Sequence, residues 1–484
     1  MSEPISSLSY IGGKWIAGKG TPWVRTCPAT GEIVWSGHAA TPEQVTRAVQ
    51  AARAAFPDWA ARPQSEREAV LIRYAEQLRA RRESLAIAIS RDMGKLITES
   101  MSEADSMSAK IAVSIAAQAE RAGEYSQATD FGRLELTHRP HGVMAVFGPF
   151  NFPGHLPNGH IVPALLAGNT CIFKPSELAP SVAPIMVDAF EAAGLPAGCL
   201  NLIQGGRETG AALLNSDING LLFTGSEATG RYFHKHFAGR PEVILALELG
   251  GNNPLIIWEP ADIETAAEIA IQSAYVTTGQ RCSCARRIIL PAGEFGNRVA
   301  ALIAERVRHL AIGSWHQKDA FMGPLVSPDA AEKAVAFQAR LVASGGGLIV
   351  PLQHADPHLG FVTAGLLEMP SVCAPDEECF APLLQIYRAS DLETAIDLGN
   401  ATRFGLSASL VCEDIHIWEK VRLQLRAGIL NLNRPTVGAS SHLPFGGPGL
   451  SGNLRPGGYY AADYCAWPQA SQISPVNIQV SASS

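Results

Sequence analysis

Val143-Met144-Ala145-Val146-Phe147 is the first of a regular series of short apolar runs that alternate with helical patterns, and this alternation indicates the fold class. Continuously apolar runs of this length are typical of strands in a parallel sheet that helices cover on both faces. Such doubly wound sheets bind ligands at the carboxyl ends of their strands. The predicted strands lie at residues 143–147, 170–173, 200–203, 220–223 and 243–247, with helices at 182–193 and 229–237.

A second alternation after Gly250-Gly251 predicts a second α/β unit. Near the end of the chain, the alternating stretch 472–480 predicts an edge strand. Exposed edges need covering, and a partner subunit is the simplest cover. In this second unit the predicted strands lie at 254–257, 287–290 and 383–387. The predicted helices lie at 263–275, 333–344 and 392–398, and a further helix follows the strand at 287–290 and ends near residue 310.

Before residue 142 the sequence predicts a short hairpin and two capped helices. Trp15 and Trp23 lie among turn residues, which indicates the hairpin. Thr41-Pro42-Glu43-Gln44 has the pattern of a capping box with proline in the first turn. Ser65-Glu66-Arg67-Glu68 repeats the box and predicts a longer amphipathic helix through about Arg91.

Length and composition indicate a soluble globular protein of two or three domains. The chain has 484 residues, of which 47% are hydrophobic and 17% charged. A net charge of −7 offers no basic surface for nucleic acid. We find neither a signal-peptide pattern nor an apolar run of membrane-spanning length. Nine cysteines without an export signal predict reduced thiols and a cytoplasmic location.

The candidate nucleophile is Cys282, in the stretch Gly279-Gln280-Arg281-Cys282. Arginines lie on both sides, at 281 and 286, and would favour the reactive thiolate if they approach the sulfur. A cysteine in an apolar chain is nevertheless often inert. In an extended segment, Cys284 would point the same way as Cys282. The Cys-x-Cys pair has no companion at metal-ligand spacing, so we predict no metal site.

Two polar residues that follow predicted strands could assist such a nucleophile. Asn151 lies in a loop stiffened by Pro149 and Pro153, and a fixed amide suits an oxyanion hole worth ~3 kcal/mol. It could equally satisfy turn backbone. Glu248 ends an apolar strand beside two glycines, where burial would raise its pKa toward that of a general base. A structural ion pair is the alternative.

Two further loops suit a dinucleotide. In Lys174-Pro175-Ser176-Glu177 the acid could bind a ribose hydroxyl and repel a 2′-phosphate, which favours NAD over NADP. Gly225-Ser226 leads from a strand to a helix, and a second glycine, Gly230, follows five residues after Gly225. A pyrophosphate could therefore bind at the N-terminus of that helix. The usual Gly-x-Gly-x-x-Gly fingerprint and a P-loop are both missing, and each loop could be an ordinary turn.

The order of these pieces resembles the NAD(P)-dependent aldehyde dehydrogenase superfamily along nearly the whole chain. The resemblance implies that Cys282 attacks the aldehyde, Asn151 holds the oxyanion and Glu248 activates water. It also implies that Glu378 binds the nicotinamide ribose. Beside it, Phe380-Ala381-Pro382 stands where the family usually has Phe-Gly-Pro. The implied NAD-binding residues are Lys174, Glu177, Gly225, Ser226, Gly230, Glu378 and Phe380.

The resemblance also implies an α/β fold with three parts. These are a Rossmann-type NAD-binding domain at 1–128 and 147–250, an α/β catalytic domain at 251–452, and a small β oligomerisation arm at 129–146 and 453–484. A homodimer or homotetramer is expected, with a small aldehyde as substrate and neither nucleic acid nor membrane as partner.

Four further stretches, at 154–163, 204–210, 280–287 and 460–467, narrow the resemblance to a group whose substrate carries two carboxylates. Such a substrate needs cations at the site, and Arg281, His155 and Arg434 are candidates by proximity to the motifs. Three alternatives stay open. They are an aldehyde dehydrogenase of different or broad specificity, a cysteine hydrolase or acyltransferase with a nearby histidine, and a non-catalytic protein on this fold.

Overall fold

The first described elements are two antiparallel strand pairs and four helices. The computed structural model describes residues 8–259, 261–370 and 375–475. Between the first two strands, Gly12 and Gly13 have φ of 59° and 81°, as a tight hairpin turn requires. This part consists of β1 (Leu8–Ile11), β2 (Lys14–Ala17), β3 (Pro22–Thr26), β4 (Ile33–His38), α1 (Pro42–Ala60), α2 (Gln64–Ala80), α3 (Arg82–Met93) and α4 (Ile97–Arg121).

The hairpin predicted around the two tryptophans is in fact two strand pairs. Trp15 lies in β2, which pairs with β1, whereas Trp23 lies in β3, which pairs with β4. The capping box predicted at Thr41 is confirmed. The Thr41 hydroxyl accepts from the Gln44 N–H at 3.3 Å, and Gln44 Oε1 accepts from the Thr41 N–H at 3.1 Å.

The second predicted capping box is wrong. Helix α2 starts at Gln64 directly after Pro63, so Ser65 already lies inside the first turn. The helix also ends at Ala80 rather than near residue 91. It ends there because Arg81 leaves the helical conformation, with φ −101° and ψ 10°, before α3 begins.

The first seven-stranded sheet confirms the strands predicted between residues 143 and 247. The next elements are β5 (Tyr125–Thr129), β6 (Gly132–Pro140), β7 (Val143–Phe147), α5 (His155–Leu166), β8 (Thr170–Lys174), α6 (Val182–Ala192), β9 (Leu200–Leu202), α7 (Arg207–Leu214), β10 (Gly220–Gly225), α8 (Glu227–His236) and β11 (Ile244–Leu249). The sheet order is β11-β10-β7-β8-β9-β1-β2, parallel from β11 to β9. Strands β7 and β8 are buried at every position, as their continuous apolar sequence predicts.

A second seven-stranded sheet confirms the second alternation. Its elements are β12 (Asn253–Ile257), α9 (Ile263–Tyr275), β13 (Ala285–Pro291), α10 (Glu294–Arg308), α11 (Pro328–Ala343), β14 (Gly347–Val350), β15 (Gly365–Glu368), β16 (Leu383–Ala389), α12 (Leu392–Asn400), β17 (Ser407–Val411), α13 (Ile415–Gln424) and β18 (Ile429–Leu432). The order is β14-β15-β16-β13-β12-β17-β18, and all neighbours except β14 and β15 run parallel.

The last elements return to the first half of the chain. They are β19 (Pro444–Phe445), β20 (Gly457–Gly458), α14 (Ala461–Cys465) and β21 (Ala466–Ile473). Strand β21 runs antiparallel along β6, which pairs with β5 on its other side. The predicted strand at 472–480 is therefore misplaced, because pairing with β6 begins at Ala466 and ends at Ile473. Its residues 476–480 lie outside the described ranges.

Among the described helices, none has both the length and the hydropathy that crossing a bilayer requires.

The cap of α1 offers a test of the local structure. Thr41→Ala removes the hydroxyl that accepts the Gln44 N–H, and we expect it to lower the free energy of unfolding by about 1 kcal/mol. Thr46→Ala on the same helix is the control, because the exposed Thr46 hydroxyl only donates to the Pro42 carbonyl. Urea denaturation measures both, and equal losses would contradict the assignment of the cap.

Candidate active site

The carboxyl ends of the first sheet and the loop that contains Cys282 border one cleft of about 1130 Å³. Its wall therefore combines residues of both α/β units. Glu248 and Gly230 lie next to residues of this wall. The predicted site residues within the wall are Asn151, Lys174, Glu177, Gly225, Ser226, Cys282, Glu378 and Phe380.

A strained turn presents Cys282. The three residues Thr277, Thr278 and Gly279 have φ of 54°, 57° and 68°, a left-handed region that β-branched residues rarely adopt. The Thr277 hydroxyl donates to Glu99 Oε1 at 2.5 Å, and the Thr278 hydroxyl donates to a backbone carbonyl at 2.9 Å. These bonds hold the strained backbone, so the chain reverses immediately before the cysteine.

The turn also separates Cys282 from Cys284. The Cys284 N–H donates to the Arg281 carbonyl at 3.0 Å, so the segment is turned and not extended. The expectation that both thiols point the same way is wrong. Cys282 is partly exposed in the cleft wall, whereas Cys284 is buried with its Sγ 3.8 Å from the Val276 carbonyl. Of the two, Cys282 is the thiol that a substrate can reach.

Asn253, which the sequence analysis missed, holds this turn from strand β12. Its Nδ2 donates to the carbonyls of Cys282 at 2.7 Å and Cys284 at 2.9 Å, while its Oδ1 accepts from the Ser407 N–H at 3.0 Å. The available signal was a polar side chain that opens an otherwise apolar strand. Such a side chain needs partners when buried, and here two of the partners are the carbonyls of Cys282 and Cys284.

The surroundings of Cys282 favour the neutral thiol. Burial, the largest influence, raises the pKa of Cys282, and the carboxylates of Glu248 and Glu378 raise it further, while the Arg286 guanidinium lowers it. The thiol is therefore protonated near neutral pH. Attack on a carbonyl requires the thiolate, so a base must take the proton.

Only Arg286 of the two flanking arginines acts as expected. It is fully buried and donates to the Gly279 carbonyl at 2.7 Å and the Arg281 carbonyl at 3.0 Å. Arg281 turns its own guanidinium to Glu99, 3.0 Å away. The expectation concerned an arginine that approaches the sulfur. Arg286 meets this condition, whereas an ion pair with Glu99 holds Arg281 aside.

Asn151 reaches the same turn from the loop after β7. It is buried, and its Nδ2 donates to the Gln280 carbonyl at 3.0 Å. Because a side-chain amide carries two N–H donors, the second remains for an acceptor in the cleft that Asn151 shares with Cys282. A fixed donor next to a nucleophile is the arrangement that stabilises an oxyanion.

Glu248 has the environment of a proton-transfer group. It is buried at the end of β11, and its Oε1 has no hydrogen-bond partner among the described residues. Burial raises the pKa of Glu248 well above its ordinary value. Its Oε2 lies near Gly446 and Gly457, 3.6 and 3.8 Å from the position of a Cβ on each. A raised pKa without an ion pair suits a general base better than a structural role.

The two predicted dinucleotide loops lie in the cleft wall, but Gly230 does not contribute a surface. Lys174 Nζ is 3.6 Å from Glu177 Oε2. The Ser226 hydroxyl caps α8 by accepting a backbone N–H at 3.3 Å, which leaves the helix N-terminus at the cleft. Gly230 packs against Leu249, since a Cβ there would come within 2.6 Å of the Leu249 side chain. Its role is to bring α8 close to β11.

Glu378 folds inward within the cleft wall. Its Oε1 is 3.5 Å from Arg286 Nη2, and its carboxylate lies directly against Gly250. Burial raises the pKa of Glu378, although Arg286 opposes this shift. The Phe380 ring lies 5.4 Å from the Arg286 guanidinium. Ala381 keeps a negative φ, so the loop accommodates alanine where glycine is usual.

The three candidate cations differ in availability. Arg281 is engaged by Glu99. His155 is poorly suited, because burial lowers the pKa of His155 to about 4 and leaves it neutral at pH 7. Arg434 is exposed, and its guanidinium forms no ion pair with the described residues.

The charges around Cys282 predict a pH effect. Glu378→Gln removes a negative charge that raises the pKa of the thiol, so more thiolate forms at each pH below the midpoint. We expect the midpoint of Cys282 alkylation by iodoacetamide to move to lower pH. Mass spectrometry of the modified peptide measures it. Glu377→Gln is the control, because Glu377 pairs with Arg340 at 2.6 Å on the surface. An unchanged or raised midpoint in Glu378→Gln would refute the electrostatic account.

Comparison with known proteins identifies the family. The model of the aldehyde dehydrogenase family matches residues 15–469. N-succinylglutamate 5-semialdehyde dehydrogenase 2 of Caulobacter vibrioides is 53% identical over 473 residues, 96% of each chain. The N-succinylglutamate 5-semialdehyde dehydrogenase of Paraburkholderia xenovorans is 50% identical over 477 residues, 98% of each chain.

Solved structures agree with this result. An NADP-dependent enzyme of E. coli has a TM-score of 0.91 at 27% identity, covering 97% of this chain and 98% of its own. Betaine aldehyde dehydrogenase of Staphylococcus aureus in complex with NAD+ has a TM-score of 0.92 at 25% identity, covering 99% of this chain and 97% of its own. With the cysteine, amide and carboxylate placed as described, the chain belongs to the aldehyde dehydrogenase family.

Proposed function

We propose that this protein oxidises N-succinyl-L-glutamate 5-semialdehyde to N-succinyl-L-glutamate with NAD, in arginine catabolism by the succinyltransferase pathway. The observation that carries the chemistry is that Cys282 and Asn151 share one cleft with the dinucleotide loops. Relatives that are 50–53% identical along 96–98% of their length bear the name of this semialdehyde dehydrogenase, which supports the substrate.

The residues of the cleft fit a nicotinamide dinucleotide. Glu177 is half-exposed in the wall, where its carboxylate could accept a ribose hydroxyl and repel a 2′-phosphate. The N-terminus of α8, with Gly225 and Ser226, suits the pyrophosphate. Lys174 would assist at the adenosine ribose, and Glu378 with Phe380 would hold the nicotinamide ribose. When bound, the cofactor supplies the hydride acceptor.

The residues of this chain perform the remaining steps. Cys282 loses its proton and attacks the aldehyde carbon, forming a thiohemiacetal. The oxyanion receives hydrogen bonds from the Asn151 amide and the Cys282 backbone N–H. After oxidation to the thioester, Glu248 takes a proton from the water that attacks it and so frees the cysteine.

Two cysteine variants test the nucleophile. Cys282→Ala should abolish NADH formation, since it removes the only sulfur that we place in the reaction, whereas Cys284→Ala should retain it. Both variants are measured by absorbance during turnover, with circular dichroism to check folding. Loss in Cys284→Ala with activity in Cys282→Ala would overturn the assignment.

A kinetic panel tests the substrate and the cofactor. We expect kcat/KM for N-succinylglutamate 5-semialdehyde to exceed that for simple aliphatic aldehydes by at least about tenfold, because relatives 50–53% identical to this chain bear the name of the dehydrogenase for that semialdehyde. NAD should be preferred to NADP because of Glu177. Comparable values across aldehydes would favour a dehydrogenase of broad specificity.

We also propose a cytoplasmic homo-oligomer with the domain division implied by the sequence. The first sheet would carry NAD at 1–128 and 147–250, the second would form the catalytic domain at 251–452, and 129–146 with 453–484 would form the arm. Strand β7 pairs within the first sheet from Val143 onward, which argues for moving the boundary at 146 to near residue 142. One edge of β21 has no partner strand in the described part of the chain, which supports a subunit contact there.

A further inference from the structure

A buried ion pair behind the Asn151 loop has no part in the chemistry proposed above. Lys95 Nζ is 2.7 Å from Glu103 Oε2, and both side chains are fully buried. Every other ion pair among the described residues leaves at least one partner partly exposed. Lys95 follows α3, and Glu103 lies in α4, so the pair belongs to the helices behind the cleft.

Lys95 holds the loop at Asn151. Its Nζ donates to the Asn151 carbonyl at 3.0 Å and lies 3.4 Å from the centroid of the Phe152 ring. The ammonium is therefore surrounded by a carboxylate, a carbonyl and an aromatic face, which are the partners that a buried cation needs. The charged Lys95 donor thus fixes the backbone carbonyl of Asn151, the residue whose side-chain amide is proposed to bind the oxyanion.

Glu103 holds the other end of the same loop. Its Oε1 accepts from the N–H groups of Gly154 at 3.0 Å and His155 at 3.1 Å, where α5 begins. The Gly154 position supplies no side-chain cap of its own in this structure. The carboxylate of Glu103 therefore replaces the missing cap and complements the positive end of the helix.

We propose that Lys95 and Glu103 are positioning residues that act through Asn151, an inference that rests on the proposed function. They fix the loop at both ends, so the Asn151 amide keeps its place at the Cys282 turn. Stability alone does not account for the pair, because buried ion pairs are often no more stabilising than apolar residues of similar size. Helices α3 and α4 are also joined by Arg82 and Asp105.

A double-mutant cycle tests this inference. Lys95→Met removes the donor to the Asn151 carbonyl, and we expect kcat/KM for the aldehyde to fall at least about tenfold, as for other small misplacements of catalytic groups. In the Asn151→Ala background, the same substitution should change kcat/KM by less than about twofold, because the amide that it positions is gone. The dissociation constant of NAD, measured by calorimetry, should stay unchanged in all four proteins.

A second variant separates positioning from stability. Lys95→Met/Glu103→Gln leaves no unpaired buried charge, and the amide oxygen of the introduced glutamine can still accept from the start of α5. We expect this variant to recover the melting temperature lost by Lys95→Met but not its kcat/KM. The control Arg82→Met/Asp105→Asn breaks an exposed pair between α3 and α4, the helices on either side of Lys95, and should keep wild-type kinetics.

The outcomes are distinct. Additive losses in the cycle, wild-type kcat/KM in Lys95→Met, or unfolding of both Lys95 variants would each overturn the positioning role. If the unmodified protein forms no NADH with any aldehyde, the proposed function itself fails, and that result is independent of the Lys95 variants.

Discussion

The hydrogen bonds that hold the backbone around Cys282 are the constraint on which the site depends. Arg286 and Asn253 together bind four backbone carbonyls of the segment 279–284. Both side chains are buried, so the hydrogen bonds that they make to these carbonyls are shielded from competing water. These bonds hold a turn whose three preceding residues are left-handed, and they separate the reachable thiol from its neighbour two residues on.

The same turn links the two α/β units. Arg286 lies between the cysteine turn and Glu378, while Asn151 from the first unit donates to Gln280. Cys282, Asn151 and Glu378 therefore depend on one set of contacts. A change in any of these contacts would alter the geometry of the others, since a packed interior transmits displacement.

The electrostatics of the cleft explain why a base is required. Burial and two carboxylates raise the pKa of Cys282, and burial raises that of Glu248 well above its usual value. The thiol of Cys282 and the carboxyl of Glu248 therefore keep their protons to higher pH than in water, which disfavours two negative charges in one buried site.

The two parallel sheets are predictable from the sequence, because continuous apolar strands and turn residues are local properties. The sequence also marked Asn151, Glu248 and Cys282, since each directly follows a strand or lies in a family motif. Long-range packing, in contrast, buries Cys284, pairs Arg281 with Glu99, and sets Gly230 against Leu249 instead of toward the cleft. It likewise places β21 at 466–473 and assigns Asn253 to the cysteine turn. These outcomes depend on residues that are far apart in the chain, whose meeting no local pattern records.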